Sequence, residues 1–212
     1  MRIGTWNLEG KWSSGHLALL QSQECDVWLL TEVPTAASIP GMVAHRTGEP
    51  MGPKKTWAGI FSKVNVITGP DPHRATAVAH CDGVRLMSSV LPWRSCGTSW
   101  EGSTLAEKMS GTLASLREHI DEATVWGGDW NQALEGHDYV GGLAGRREIV
   151  DLVHDAHLSV PTRALGSASK GHRSIDHIAV PINWDVVGAH RVRAANEGHR
   201  LSDHDAYVVR VD

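Results

Sequence analysis

Five short stretches of the chain place side chains that bind ions and move protons at the ends of apolar runs. Asn7 closes "RIGTWN", Glu32 closes "DVWLLTE", and Asp129 and Asn131 follow "TVWGG". Asp176 and His177 lie inside "SIDHIAV", and Asp203 and His204 precede "AYVVRV". Carboxylates, amides and imidazoles are the groups that hold cations and transfer protons. Taken singly, each is weak. An Asn at a strand end is commonly a turn residue, and "GGDWN" alone can be a Gly-Asx turn. Asp176 is harder to dismiss, because a carboxylate inside an apolar strand needs a partner. The rim of a sheet brings together strand ends that are distant in sequence, and sites form there. The conjunction of the five is what argues for chemistry.

The elements that must position these residues follow from periodicity. Residues 2–8, 26–33, 56–63, 64–68, 75–81, 84–91, 123–128, 174–181, 184–192 and 205–211 read as strands, with a further strand at 42–47 inside the loop-rich stretch 34–56. Residues 14–24 form a helix of modest apolar face. Residues 104–121 form the clearest one: Thr104 and Glu107 have capping-box spacing, and Leu105, Met109, Leu113, Leu116 and Ile120 make one stripe. A third helix spans 144–156, with Ile149, Val150, Val153 and Ala156 inward. Many strands with a few interspersed helices suggest a layered α/β domain, and no linker divides residues 1–212.

Composition sets bounds. A net charge of −4 argues against a broad basic surface for gripping duplex DNA while leaving room for a local phosphate site. Cys25, Cys81 and Cys96 are scattered without CxxC spacing, which reads as reduced thiols in an intracellular, cytoplasmic chain. The first ten residues lack the apolar core of a signal peptide, and no apolar run is long enough to span a membrane.

Together "TWNL", "LLTEV", "GGDWNQ", "SIDHIAV" and "LSDHDAY" resemble, in that order, the endonuclease/exonuclease/phosphatase superfamily. These are metal-dependent phosphoesterases that include deoxyribonuclease and abasic-site endonucleases. The resemblance runs from residue 5 to residue 207. It implies an α/β fold, a four-layer α-β-β-α sandwich of two packed mixed β-sheets, with the site at one end of the sheets. It also implies a nuclease that hydrolyses phosphodiester bonds by in-line attack of water. Such hydrolysis must neutralise the phosphate, deprotonate and aim a water, and stabilise the leaving oxygen. Glu32 is the expected metal ligand, with Asn7 beside it and Asp203 as a further ligand or behind one. Oxygen ligands favour Mg²⁺ or Mn²⁺ over zinc. Asp129 would orient or deprotonate the water, and Asn131 would donate its amide to a phosphate oxygen. Alternate residues of an extended segment point the same way, so both would face the site while Trp130 turns into the core. Trp6, beside Asn7, reads as core for the same reason. His204 would touch the scissile phosphate while Asp176 fixes its tautomer. His177 points to the opposite face and reads as a packed or surface histidine. Asp205 reads as a turn residue or a supporting acid.

One departure stands out. Many members of the superfamily carry a His or Tyr just after the strand that precedes the long helix. Val90 and Leu91 stand there in this chain. Arg94 can supply phosphate neutralisation through its guanidinium fork. Trp93 and Trp100 share its loop and are expected either to stack on a base or to anchor the loop. Lys54, Lys55, Arg146, Arg147 and "KGHR" (170–173) are small basic spots, of which Arg173 and His172 stand near enough to "SIDH" to reach substrate. The expected partner is nucleic acid, DNA rather than RNA, acted on by a monomer away from membranes. Two alternatives remain: a phosphatase or phosphodiesterase of a small phosphorylated molecule or phospholipid head group, and a binding protein on the same scaffold.

Overall fold

The computed structural model describes residues 1–136 and 140–212. The first sheet contains β1 (Arg2–Asn7), β2 (Val27–Pro34), β3 (Val43–Arg46), β4 (Pro50–Gly52) and β5 (Lys55–Ser62). The second contains β6 (Ile67–Thr68), β7 (Thr76–Cys81), β8 (Val84–Val90), β9 (Thr124–Asp129), β10 (Leu158–Ser159) and β11 (Asp176–Pro181). The chain then returns to the first sheet through β12 (Val186–Val192), a small hairpin of β13 (Ala195–Asn196) and β14 (His199–Arg200), and β15 (Ala206–Val211). The first sheet runs β12-β15-β1-β2-β5-β3, with β4 also on β5, and the second β10-β11-β9-β8-β7-β6.

Each sheet has one parallel pair, β1 with β2 and β8 with β9. A parallel pair needs a crossover, usually helical. Helix α1 (Ser14–Ser22) makes the first and α2 (Leu105–Arg117) the second, while α3 (Leu143–Asp155) packs beside α2. The expected capping box at Thr104 and Glu107 is formed in both directions.

Three apolar clusters separate four layers. Ile3, Leu29 and Ile60 of the first sheet meet Leu86, Val125 and Ile178 of the second between the sheets. Trp6, Trp28, Phe61 and Val208 cover the outer face of the first sheet, together with Leu20 of α1. Met87 and Trp126 do the same for the second, against Met109, Leu116, Ile149 and Leu152 of α2 and α3. The layered sandwich expected from the sequence is the observed architecture. Among the described residues, no helix is long and apolar enough to cross a membrane.

Some boundaries differ from the periodicity reading. Val150 is exposed and Leu152 takes its place, because Ile149, Leu152 and Val153 share one face at spacings of three and four. The strand read at 64–68 shrinks to Ile67–Thr68, both exposed at the sheet edge. The short β4, β10, β13 and β14 carry too few residues for a period to show.

Topology places the polar strand ends on one rim. Asn7 is the last residue of β1 and Asp129 the last of β9. Asp176 opens β11 directly opposite Asp129 in the antiparallel pair, and His204 lies just before β15, whose Tyr207 pairs with Thr5. Gly128, at φ +130°, supports this corner: a Cβ there would lie 2.1 Å from the Ser89 carbonyl oxygen of the neighbouring strand. Backbone cannot yield as a side chain can, so Gly128→Ala is expected to cost about 3 kcal/mol and lower the melting temperature by about 10 °C in thermal unfolding. An unchanged melting temperature would show that β8 and β9 are not held this closely.

Candidate active site

The rim closes around His204. Its Nδ1 donates to Asp176 Oδ2 at 2.7 Å. Its Nε2 lies 3.9 Å from Asp129 Oδ2 and 3.9 Å from Asp203 Oδ1. With Nδ1 engaged by Asp176, Nε2 is the ring nitrogen turned towards Asp129 and Asp203. Burial alone would lower the His204 pKa, but the charges of Asp176, Asp129 and Asp203 outweigh it and hold the pKa well above the usual histidine value. Burial pushes the Asp129 carboxyl up to about 7; the His204 charge opposes that rise and the Asp176 charge adds to it. Asp176 is raised by burial as well, with His204 pulling it back. The two acids and the imidazole therefore titrate as one interacting set.

Asn7 links the sheets. Its Nδ2 donates to Asp129 Oδ2 at 2.9 Å across the core and lies 3.3 Å from Glu32 Oε1, while its Oδ1 accepts from the Glu9 amide at 2.8 Å. Glu32 is left-handed, at φ +48°. Strict alternation along β2 would put Val33 on the Leu29 face, yet Val33 packs with Leu30 on the outer face. The left-handed residue breaks the alternation at the position that presents its carboxylate beside Asn7.

Asn131 also departs from the extended geometry expected of it. It is left-handed at φ +53°, and its backbone N–H donates to Asp129 Oδ1 at 3.0 Å. "GGDWN" is therefore an Asx-type turn, and the same turn anchors the site. Asn131 Nδ2 donates to the Leu91 carbonyl at 2.9 Å, which fixes the amide and leaves its second hydrogen to face elsewhere. Trp130 and Trp6 are fully buried, as expected.

The loop bearing His204 is pinned from below. Ser202 Oγ donates to the Asn7 carbonyl at 2.7 Å and accepts from the His204 amide at 3.1 Å, and the Trp6 indole donates to the His204 carbonyl at 3.2 Å. Asp205 is buried, accepts from the Ala194 amide and pairs with Arg191 and Arg200. Asp203 is exposed, and its amide is held by Glu9.

The remaining sequence-derived residues divide. Arg173 lines the same cleft as His204, Asp176 and Asp203, about 380 Å³ in volume, and its guanidinium donates to the Ala164 carbonyl. Trp93 is half-buried at the edge of an aromatic cluster with Trp100 and Trp57. Trp100 is buried there and anchors the loop. Arg94 is exposed on that loop. Lys55, one of the small basic spots of the sequence, begins β5 and places its Nζ 2.6 Å from Glu32 Oε2. Pairing of β5 with β2 across a long loop brings them together, and no motif announces it.

His177 turns away from the site, as alternation requires, and packs against Trp130. Its Nε2 donates to the Gln132 carbonyl at 2.9 Å, and burial pushes its pKa down to about 4.

No protein-family model and no curated protein matches the chain by sequence. Solved structures match it by fold. An AP endonuclease from Archaeoglobus fulgidus superposes with a TM-score of 0.72 at 16% identity, covering 100% of this chain and 99% of that one. A 3′ phosphatase from Neisseria, bound to a product DNA hairpin, gives 0.70 at 18% identity over 100% and 99%. An endonuclease/exonuclease/phosphatase from Beutenbergia cavernae gives 0.63 at 18% identity over 99% and 70%. The chain has the endonuclease/exonuclease/phosphatase-like fold.

The buried histidine provides a pH test. Its folded pKa lies below the unfolded value, so the unfolded chain binds the extra proton and stability falls as pH drops from 6.5 towards 4. His177→Gln keeps a donor for Gln132 and removes the titration. Between pH 7 and 4.5, urea unfolding should show the wild type losing about 2 to 3 kcal/mol relative to this variant. Equal losses in the two proteins would mean that His177 is not held neutral.

Proposed function

We propose that the protein is a divalent-metal-dependent phosphoesterase, a nuclease that hydrolyses phosphodiester bonds of nucleic acid by in-line attack of water. One observation carries the reading. On this fold, His204 is held between Asp176, on its Nδ1, and Asp129, on the side of its Nε2.

In this reading His204, protonated at neutral pH, donates from Nε2 to a non-bridging phosphate oxygen and neutralises part of its charge. Asp176 keeps the ring oriented and supports the positive charge. Asp129 accepts the proton of the attacking water. A carboxyl raised to about 7 is a stronger base than an ordinary aspartate and is still about half ionised at neutrality. The free hydrogen of the Asn131 amide donates to the phosphate, its direction set by Leu91.

The donor set fits a hard cation. Glu32 would offer a carboxylate oxygen at the rim, and Asn7, whose Oδ1 accepts from the Glu9 amide while its Nδ2 faces Glu32, would assist as a neighbour; oxygen donors suit Mg²⁺ or Mn²⁺. When bound there, such an ion would neutralise phosphate charge and stabilise the leaving oxygen. Lys55 meets Glu32 through Oε2, and Oε1 has only the 3.3 Å Asn7 contact, so one carboxylate oxygen is the freer one. Asp203, exposed on the far side of His204, is proposed as the ligand that completes the set. Arg94, Arg173 and Trp93 would contact the rest of the substrate.

DNA is the favoured substrate, in keeping with the DNA-bound Neisseria neighbour. That neighbour, a 3′ phosphatase, also supports a second reading, removal of a terminal phosphate from a strand. Incubation with single-stranded, double-stranded and abasic DNA, RNA, end-phosphorylated strands and simple phosphodiesters, with Mg²⁺ or chelator, separates these readings. Metal-dependent products are expected, and Asp129→Asn should slow their formation on the order of a hundredfold or more. No product from any substrate would favour a binding protein on this scaffold, and cleavage indifferent to Asp129→Asn would remove the assigned base.

A further inference from the structure

A second concavity adjoins the His204 cleft. It is about 430 Å³ and is lined by Lys170, Arg173 and Arg191 together with the loop Gly166–His172. It shares Ser167, Ala168, His172 and Arg173 with the cleft that contains His204 and Asp176. The two spaces differ in charge. The cleft carries Asp176, Asp203 and Asp205, whereas the adjoining space has no carboxylate in its lining among the described residues.

The surrounding loop is built rather than loose. Ser167 N–H donates to the His172 carbonyl at 2.8 Å, Ser174 N–H donates to Leu165 at 2.9 Å, and Gly166 bridges to Arg173. The Tyr207 hydroxyl donates to the Gly166 carbonyl at 3.0 Å and ties the loop to β15. Arg191 reaches it from β12: its guanidinium donates to the Ser167 carbonyl, and its Nε lies 3.3 Å from Asp205 Oδ2. Asp205 is shared with Arg200, so two guanidinium groups face one carboxylate and positive charge remains in excess. On a chain of net charge −4, this concentration of cations beside a phosphate-cleaving rim is not a general surface property.

The geometry points to a phosphate-binding pocket formed by Lys170, Arg173 and Arg191, which takes a second phosphate of a nucleic-acid strand, not the one cleaved at His204. The inference rests on the nuclease reading and deepens it. A strand with one phosphate at His204 carries others along its backbone or at its end, and guanidinium forks suit phosphate oxygens. The pocket then fixes which way the strand leaves the cleft.

Binding without turnover tests the pocket. In EDTA, unlabelled single-stranded decanucleotides carrying a phosphate at the 5′ end, the 3′ end or neither compete with a fluorescent decamer for the full-length protein. Lys170→Ala with Arg173→Ala should weaken binding at least tenfold and reduce the salt slope of log Kd by about 1.4 for two lost contacts. Lys170→Glu, a single change of an exposed side chain, should act in the same direction. Lys63→Ala with Arg210→Ala, the same charge change at the opposite end of the first sheet, should leave both quantities as in wild type. Loss seen with the unphosphorylated strand assigns the pocket to a backbone phosphate, and loss confined to one phosphorylated strand assigns it to a terminal monoester. Unchanged affinity in the Lys170/Arg173 variant, or equal loss in the remote pair, overturns the pocket even where cleavage is intact. A wild-type protein that neither binds nor cleaves any strand overturns the pocket and the nuclease reading together.

Discussion

One imidazolium between two buried acids is the interaction on which the rim depends. His204 bonds Asp176 at 2.7 Å and faces Asp129 at 3.9 Å. Neither acid can keep its charge at this depth without a nearby cation, and burial raises both carboxyl groups. The remaining contacts serve the same arrangement. Ser202, the Trp6 indole and the Arg-paired Asp205 hold the loop on which His204 sits. Asn7 ties Asp129 to the opposite sheet, so the packing of the two sheets and the placement of the acids are one structural fact.

The rim also shows how an acidic protein can concentrate positive charge locally. Its positive charge is local and held by structure: His204 by Asp176, Lys55 by Glu32, and Arg191 by Asp205. Each cation is restrained by an acid in a fixed geometry, so little conformational freedom is lost when an anion arrives. Lys55 bears on the proposed metal site, because it and a divalent cation would share one carboxylate. Like charges a few ångströms apart repel strongly at a partly buried site. In the proposed site, the freer oxygen of Glu32, beside Asn7, is the one that would meet an ion.

Much of this was legible in sequence because it is local or periodic. Apolar runs that end in polar residues mark strands meeting at a rim, and the ordered set of five stretches indicates the layered fold. The capping box at Thr104 and the inward stripe of α2 were readable for the same reason. Backbone conformation was not. Alternation places Asn131 beside Asp129 as in a strand, whereas the Asp129 carboxylate captures the Asn131 amide and turns the chain left-handed. Glu32 breaks the pattern of β2 in a similar way. Partners separated by long loops, Lys55 with Glu32 and Arg191 with Asp205, have no local signal because register between distant strands creates them.

The central claim is that water, activated at this rim, attacks phosphorus. Cleavage of an oligonucleotide in water enriched in ¹⁸O, followed by mass spectrometry of both fragments, tests it most directly. The expected result is one ¹⁸O atom on the newly formed phosphate and none on the released hydroxyl. Label on the sugar hydroxyl, or fragments free of label, would contradict attack by water at phosphorus.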